Sequence, residues 1–376
     1  MLDESENDET TILGGGEWNR KRWWHRLIQV CRTWKYLVLQ SAFHLQVFLV
    51  CACGTPVADM LAHSPPAIPL IIDHFDDQYQ RLTAEDEKGI LLALQHRDRL
   101  HRIRIIKPTP ILQKIINALD GEFLVLEFLF IWHQRYHRPV IEPITNLNFP
   151  ETFRAPHLRQ LVLKNFATPI KSPSLTTMGN LTTLYLFRIP FFAYFHPNTL
   201  LQWLSLMPQL EALWIGFNFS RDIERQLSRT PIMMRVTLPN LRWLGFRGTS
   251  AYLEVLLPWL TTPLLDKLRV YFLNRMIYSI PHLRQFMSTA SFLQAKTTTL
   301  DFYEDHLQVA AHPHVGDALE TLGMEVGGRY FYWQIISGAQ VFNALSTVFS
   351  VVEHLTLNYR RRHMLSEWNN RGGQSN

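Results

Sequence analysis

The chain has 376 residues, 47% of them hydrophobic and 18% charged, with a formal net charge of +5. A composition this apolar excludes disorder of the whole chain, and basic residues this dispersed argue against a nucleic-acid partner. Three cysteines exclude a disulfide framework, and no stretch nears the roughly 18 uninterrupted apolar residues of a membrane helix.

Residues 1–17 read as a disordered acidic and glycine-rich tail: Asp3, Glu4, Glu6, Asp8 and Glu9 precede Gly14, Gly15 and Gly16. An acidic start is the reverse of a secretory signal, so the expected home is cytoplasmic or nuclear. Within 18–53 a helix is predicted from Trp18 to about residue 39, because Leu27, Val30, Cys31, Trp34, Leu37 and Val38 recur at three- and four-residue spacing. Those residues should share one apolar face, with Arg26, Arg32 and Lys35 opposite. Residues 54–97 read as a connector holding a first strand and a helix. The chain breaks at Gly54-Thr55-Pro56, a proline-bearing link covers 63–69, and Ile68, Leu70 and Ile72 alternate like a strand. Asp73, Asp76 and Asp77 then read as a solvated loop.

From residue 98 to 360 the chain repeats a Leu-x-x-Leu-x-Leu pattern, with other apolar residues as substitutes. Copies stand at Leu100-Ile103-Ile105, Leu126-Leu129-Ile131, Leu158-Leu161-Leu163, Leu181-Leu184-Leu186 and Leu210-Leu213-Ile215. They continue at Leu241-Leu244-Phe246, Leu265-Leu268-Val270, Thr297-Leu300-Phe302, Leu319-Leu322-Met324 and Val352-Leu355-Leu357. The nine intervals between leading positions 100 and 352 average 28 residues and range from 22 to 33. That period falls in the leucine-rich-repeat range of about 20–29 residues. The last two apolar positions of each copy share one face of a strand, and the first closes the turn leading into it. Helical stripes fill some intervals: Ile111, Leu112, Ile115, Ile116 and Leu119, then Tyr252, Leu253, Leu256, Leu257 and Leu260. The expected fold is α/β: an irregular solenoid of parallel strands plus helices, because one unit cannot bury its apolar face alone. The asparagine expected after the last apolar position stands only at Asn218, so no continuous asparagine ladder is predicted. Residues 361–376 read as a disordered tail.

Little in the sequence points to catalysis or cofactors. His133 and His137 have the i, i+4 spacing of zinc ligands but no adjacent general-base glutamate, which makes a metal-dependent hydrolase a remote alternative. Cys51 and Cys53 lack a second pair, and no phosphate loop or nucleophile elbow is present. No enzyme, metal or cofactor is expected.

Leu27-Ile-Gln-Val-Cys-Arg-Thr-Trp-Lys-Tyr-Leu37 resembles the second half of an F-box, Leu-x-x-Val-Cys-Arg-x-Trp-Arg-x-Leu, at Leu27, Val30, Cys31, Arg32, Trp34 and Leu37. With Trp23-Trp24 and the stretches at 54–66 and 238–248, the chain resembles the expanded F-box families of mushroom-forming fungi. The opening Leu-Pro-x-Glu/Asp-x-Leu-x-x-Ile-Phe of an F-box is missing from 8–19, so the F-box is read as partial and N-terminally truncated. The resemblance implies a non-catalytic substrate-recognition adaptor of a cullin-RING ubiquitin ligase, monomeric apart from that complex. It would bind a Skp-type linker protein through 27–37, a cullin through that linker, and a protein target through the repeats. A plain interaction scaffold that has lost ligase coupling is the alternative.

In each copy the residues alternating with the apolar strand positions should lie on an exposed, concave face. These are Arg102 and Arg104; Phe128, Phe130 and Trp132; Tyr185 and Phe187; Trp214; Trp243 and Arg247; Lys267, Arg269 and Tyr271; and Tyr303. Aromatics and arginines are the side chains enriched in binding hot spots, so this face is the expected target surface.

Overall fold

The computed structural model describes residues 29–40, 48–74, 83–107, 109–133, 150–166, 179–218, 234–273, 280–289, 296–303, 306–312, 321–327 and 352–359. The sequence predictions for 1–17, Leu27, Asp76, Asp77, His137, Leu319 and 361–376 lie outside them.

The chain begins its described course with α1 (Arg32–Gln40), β1 (Leu49–Cys51), α2 (Val57–His63), β2 (Leu70–His74) and α3 (Ala84–Leu94). It continues with β3 (Leu100–Lys107), α4 (Thr109–Ala118), β4 (Phe128–His133), β5 (Gln160–Lys164), β6 (Thr183–Ile189), α5 (Pro197–Leu204) and β7 (Ala212–Phe217). Then come β8 (Val236–Thr237), β9 (Trp243–Gly248), α6 (Ser250–Leu256), β10 (Leu260–Thr261), β11 (Lys267–Phe272) and α7 (Pro281–Thr289). The last strands are β12 (Thr297–Phe302), β13 (His306–His312), β14 (Leu322–Gly327) and β15 (His354–Tyr359).

Thirteen strands form one open, mostly parallel sheet in the order β1-β2-β3-β4-β5-β6-β7-β9-β11-β14-β13-β12-β15, and β8 pairs with β10 apart from it. Each of the ten repeated segments supplies one strand of the large sheet. From β3 to β11 the copies stand in register: Leu129 faces Leu161, Leu161 faces Leu184, Leu184 faces Leu213, and Leu244 faces Leu268. In four copies the leading leucine closes a turn as expected, Leu265 through the Thr262 carbonyl. The Leu158, Leu210 and Leu241 N–H groups donate to carbonyls three residues earlier, at Ala155, Met207 and Leu238. In the units of β4, β5, β6, β7 and β9 one carbonyl then accepts from two successive N–H groups of the next. Glu127, Arg159, Thr182, Glu211 and Arg242 do so in turn. The sequence period is thus also a hydrogen-bond period.

The order changes after β11. β12 does not pair with β11; β12, β13 and β14 form an antiparallel meander that places β14 beside β11. The interval from Thr297 to Leu319 is the shortest of the nine. It holds a strand, β13, with Leu307, Val309 and Ala311 buried, where other intervals hold helices. The ten repeated strands still run in one direction and β13 alone is reversed among them. At the far edge, Leu355 and Leu357 of β15 are exposed, unlike their counterparts in the other copies.

Seven α-helices are found among the described residues. α3 packs against β1 and β2, α4 against β3, and α6 against β9. The face they cover carries the Leu-x-Leu residues. Leu129, Leu161, Leu184, Leu213 and Leu268 join Ile90, Leu112, Leu200, Tyr252 and Leu283 of the helices in one core. The predicted stripe on α4 is buried at Leu112, Ile115, Ile116 and Leu119. The second stripe is shorter than predicted: α6 stops at Leu256, Leu257–Trp259 is a 3-10 turn, and Leu260 starts β10. Pro258 has no N–H to continue the helix. The link over 63–69 is held by the buried Arg99, whose guanidinium donates to the Ile68 and Pro65 carbonyls and the Ser64 hydroxyl at 3.1–3.2 Å. No helix is long and apolar enough to cross a membrane, among the described residues.

Candidate interaction surface

Side chains alternate across a strand, so the second face of the sheet is set by the residues between the buried leucines. Following the register, Phe130, Val162, Tyr185, Trp214, Gly245 and Arg269 stand side by side on β4, β5, β6, β7, β9 and β11. Arg104 and then Asp73 extend the row toward β2. A neighbouring row on the same face holds Trp132, Lys164 and Phe187 and, on the later strands, Gly216, Arg247, Tyr271 and Glu325.

The large rings on this face lie against one another. Trp214 stacks on Trp243 with centroids 5.5 Å apart and planes at 16°. Phe187 lies 5.4 Å from Trp214, Tyr271 5.6 Å, and Tyr185 meets Trp243 edge-on at 5.1 Å. Offset and edge-to-face contacts of this kind stabilise by about 0.5–1.5 kcal/mol each beyond area burial.

This tiling corrects the expectation of a wholly exposed face. Phe130, Tyr185, Phe187 and Trp214 are buried, and together with Ile106 and Val162 they form a second apolar cluster made entirely of strand residues among the described ones. Wide rings laid along a sheet cover their neighbours, which period-two alternation does not reveal. Phe128, Trp132, Trp243, Arg247, Arg269 and Tyr271 are half-buried and form the accessible part. Tyr303 is not on the cluster; it stacks on His306 at 4.1 Å in the turn between β12 and β13.

Cations are mounted on the rings and carboxylates of the same face. Arg102 sits over Phe128 at 4.5 Å and Lys164 over Trp132 at 4.0 Å. Arg104 donates through Nε and Nη2 to the two oxygens of Asp73 at 2.6 and 2.7 Å. Asp73 is therefore a strand residue in a bidentate ion pair, not part of a solvated loop. Burial, then the charge of Arg104, lower the Arg102 pKa from its usual value. Burial pushes the Tyr185 hydroxyl up to about 12, so it is neutral near pH 7. Such a face offers apolar contact and donor groups rather than a nucleophile. Lys164 and Val162 were legible from the alternation of β5, a copy for which the sequence reading named no face residue.

The segment resembling an F-box also departs from the expected helix. α1 starts at Arg32, with Val30 and Cys31 before it, and the Lys35 N–H donates to the Cys31 carbonyl. Val30 is 65% exposed, Trp34 47% and Leu37 55%; Cys31 and Arg32 are exposed too. Among the described residues of this stripe, Val38 alone is buried in the core. The helix thus touches the sheet–helix body along one edge and leaves its apolar stripe open.

His133 is buried at the end of β4, and no group of three His, Cys, Asp or Glu side chains able to hold a metal is found among the described residues. No protein-family model, curated protein or solved structure matches the chain.

Proposed function

We propose that the chain is a non-catalytic recognition adaptor: an irregular leucine-rich-repeat-like solenoid preceded by a partial F-box. The in-register strands, the turns closed by Leu158, Leu210, Leu241 and Leu265 and the repeated carbonyl pattern support the solenoid reading. So do the Asn165 and Asn218 side chains, which donate to the preceding unit at the His133 and Arg188 carbonyls. Residues 27–37 dock on a Skp-type linker protein, which couples the chain to a cullin-RING ubiquitin ligase. The half-buried aromatics and arginines of the second sheet face take the target. The adaptor supplies proximity: holding the target near the ubiquitin-loaded partner makes transfer effectively intramolecular.

The observation that carries the reading is the exposure of Val30, Trp34 and Leu37 in the segment that follows the F-box pattern. Exposed large apolar residues at helical spacing are a surface suited to a partner helix. The test is capture of a purified Skp-type linker by the full chain and by a Trp34→Ala, Leu37→Ala double variant. Binding by the parent and at least about tenfold weaker binding by the variant, about 1.4 kcal/mol, is expected. An unchanged urea midpoint would separate lost docking from lost folding. If the parent binds no better than a chain lacking residues 1–45, the ligase reading falls and the uncoupled scaffold takes its place.

A further inference from the structure

The β1–β2 register ends with Cys51 opposite Ile72. Continued two residues, it sets Cys53 opposite His74, and the two side chains meet: Cys53 Sγ lies 3.5 Å from His74 Nδ1. His74 is 1% exposed, whereas Cys53 is half-buried, so the ring is fixed inside while the sulfur borders solvent. Cys53 stands in the turn 52–55, closed by the Thr55 N–H on the Ala52 carbonyl at 3.1 Å. Gly54 holds the positive φ, 72°, that the third position of a type II turn requires. Its N–H donates to Asp86 Oδ1 at 2.7 Å, and the other oxygen of Asp86 accepts from Thr83. Thiol, imidazole and carboxylate thus converge from β1, β2 and α3 at one edge of the sheet.

We propose that Cys53 is a nucleophilic thiol activated by His74, and that it is a site of covalent modification by small soft electrophiles. His74 Nδ1 accepts the thiol proton as sulfur attacks an electrophilic carbon. The S–C bond forms while the bond to the leaving group breaks, and the leaving group departs with that electron pair. The proton passes from His74 to solvent; nothing is oxidised or reduced. Burial opposes the imidazolium formed on the way, and the charge of Asp86 offsets that cost. The two charges act on each other: burial would raise the Asp86 pKa, but the hydrogen bonds from Thr83 and Gly54, together with the His74 charge, hold it below its usual value.

The other cysteines are internal controls. Cys51, two residues earlier on the same strand face, is buried, and burial pushes its thiol up to about 12. Cys31 is exposed just before α1. Exposure alone ranks Cys31 above Cys53; the proposal reverses that order.

The experiment labels the native full chain with iodoacetamide and follows each cysteine by peptide mass spectrometry. Iodide is the leaving group. Cys53 is expected to alkylate roughly tenfold or more faster than Cys31, with Cys51 protected until urea is added. His74→Gln should bring Cys53 down to the Cys31 rate and leave Cys31 unchanged. Continued protection of Cys51 reports that the variant is folded. Should that variant unfold, Asp86→Asn, which keeps the carboxylate's shape without its charge, replaces it and should slow Cys53 severalfold. A Cys53 rate at or below that of Cys31 in the unaltered chain overturns the proposal without any variant. An unchanged Cys53 rate in a folded His74→Gln chain overturns the role of the histidine.

Discussion

Trp214 lies over Gly245: a Cβ built on the glycine would overlap the six-membered ring of the tryptophan. The two residues are register partners on β7 and β9, so the indole crosses to the next strand and occupies the space a side chain would fill there. Trp243, Phe187 and Tyr271 hold the ring from other sides, so it cannot shift away. Gly245→Ala is therefore expected to destabilise the fold by about 1–3 kcal/mol, the usual cost of overpacking a filled core. Trp214→Ala should cost about 3–5 kcal/mol. Trp243→Ala, at a half-buried position, should cost clearly less than Trp214→Ala. Urea midpoints of the three variants check the order, and a Gly245→Ala chain as stable as the parent would refute the argument.

The leucines of the repeated pattern provide a graded series. Leu161, Leu184, Leu213 and Leu268 are each at most 2% exposed, and each truncation to Ala should cost about 2–5 kcal/mol. Leu357 holds the third apolar place of the last copy, the place of Leu163, Leu186 and Ile215, but is 63% exposed where those three are buried. Leu357→Ala should change stability by no more than about 0.5 kcal/mol. Equal losses at Leu213 and Leu357 would contradict the described burial.

The parallel strands were legible because the copies share one spacing, and spacing fixes both the buried face and the turn before it. The meander of β12, β13 and β14 was not, because a 22-residue interval accommodates a strand or a helix equally well. Asp73 was misread for a related reason. An acid after Ile71-Ile72 looks like the end of a strand until Arg104, paired with it across the register, supplies the countercharge. The burial of Trp214 depends on Gly245, 31 residues away in sequence, and no local pattern connects them. Asn165 and Asn218 show the converse. The expected asparagine position identified Asn218 alone, yet Asn165, reached through a positive φ of 56°, makes the same kind of side-chain bond to the preceding unit.

The Asp73–Arg104 pair offers a charge test. Its side chains are 13% and 25% exposed, so it lies between a surface ion pair and a buried one. Asp73→Asn removes the countercharge and leaves Arg104 near Arg102, whose pKa the Arg104 charge helps to lower. A loss of about 1–3 kcal/mol is expected, in keeping with charge-assisted hydrogen bonds. Arg104→Met in the Asp73→Asn background should recover part of it, because the cation that has lost the Asp73 charge is then gone. A double-mutant cycle in urea measures this, and strict additivity would show that the pair contributes nothing.

Asp86 gives the fold a dependence on pH with a definite sign. It closes a capping box with Thr83 at the start of α3 and also holds the turn at Gly54. Burial alone would raise its pKa above the ordinary 3.8, but hydrogen bonds from the Thr83 side chain, the Thr83 and Gly54 N–H groups, and the His74 charge lower it. A carboxyl whose pKa is lower in the folded than in the unfolded chain binds fewer protons when folded. Its stabilisation is fully present above the unfolded value and is lost as pH falls through the folded one. Asp86→Asn resembles the protonated form at every pH. The stability gap between parent and variant should be widest near pH 7 and shrink below about pH 4, closing once the folded-state carboxyl is protonated. Thr83→Ala removes the cap that accepts the Asp86 N–H and should cost about 0.5–2 kcal/mol. That loss should persist, at least in part, below pH 4, because a hydroxyl does not titrate there. Urea midpoints measured from about pH 7 to about pH 2.5 for the parent and both variants separate the two contributions. A parent–Asn gap that stays constant down to the lowest pH would mean that the charge of Asp86 adds nothing to its hydrogen bonds.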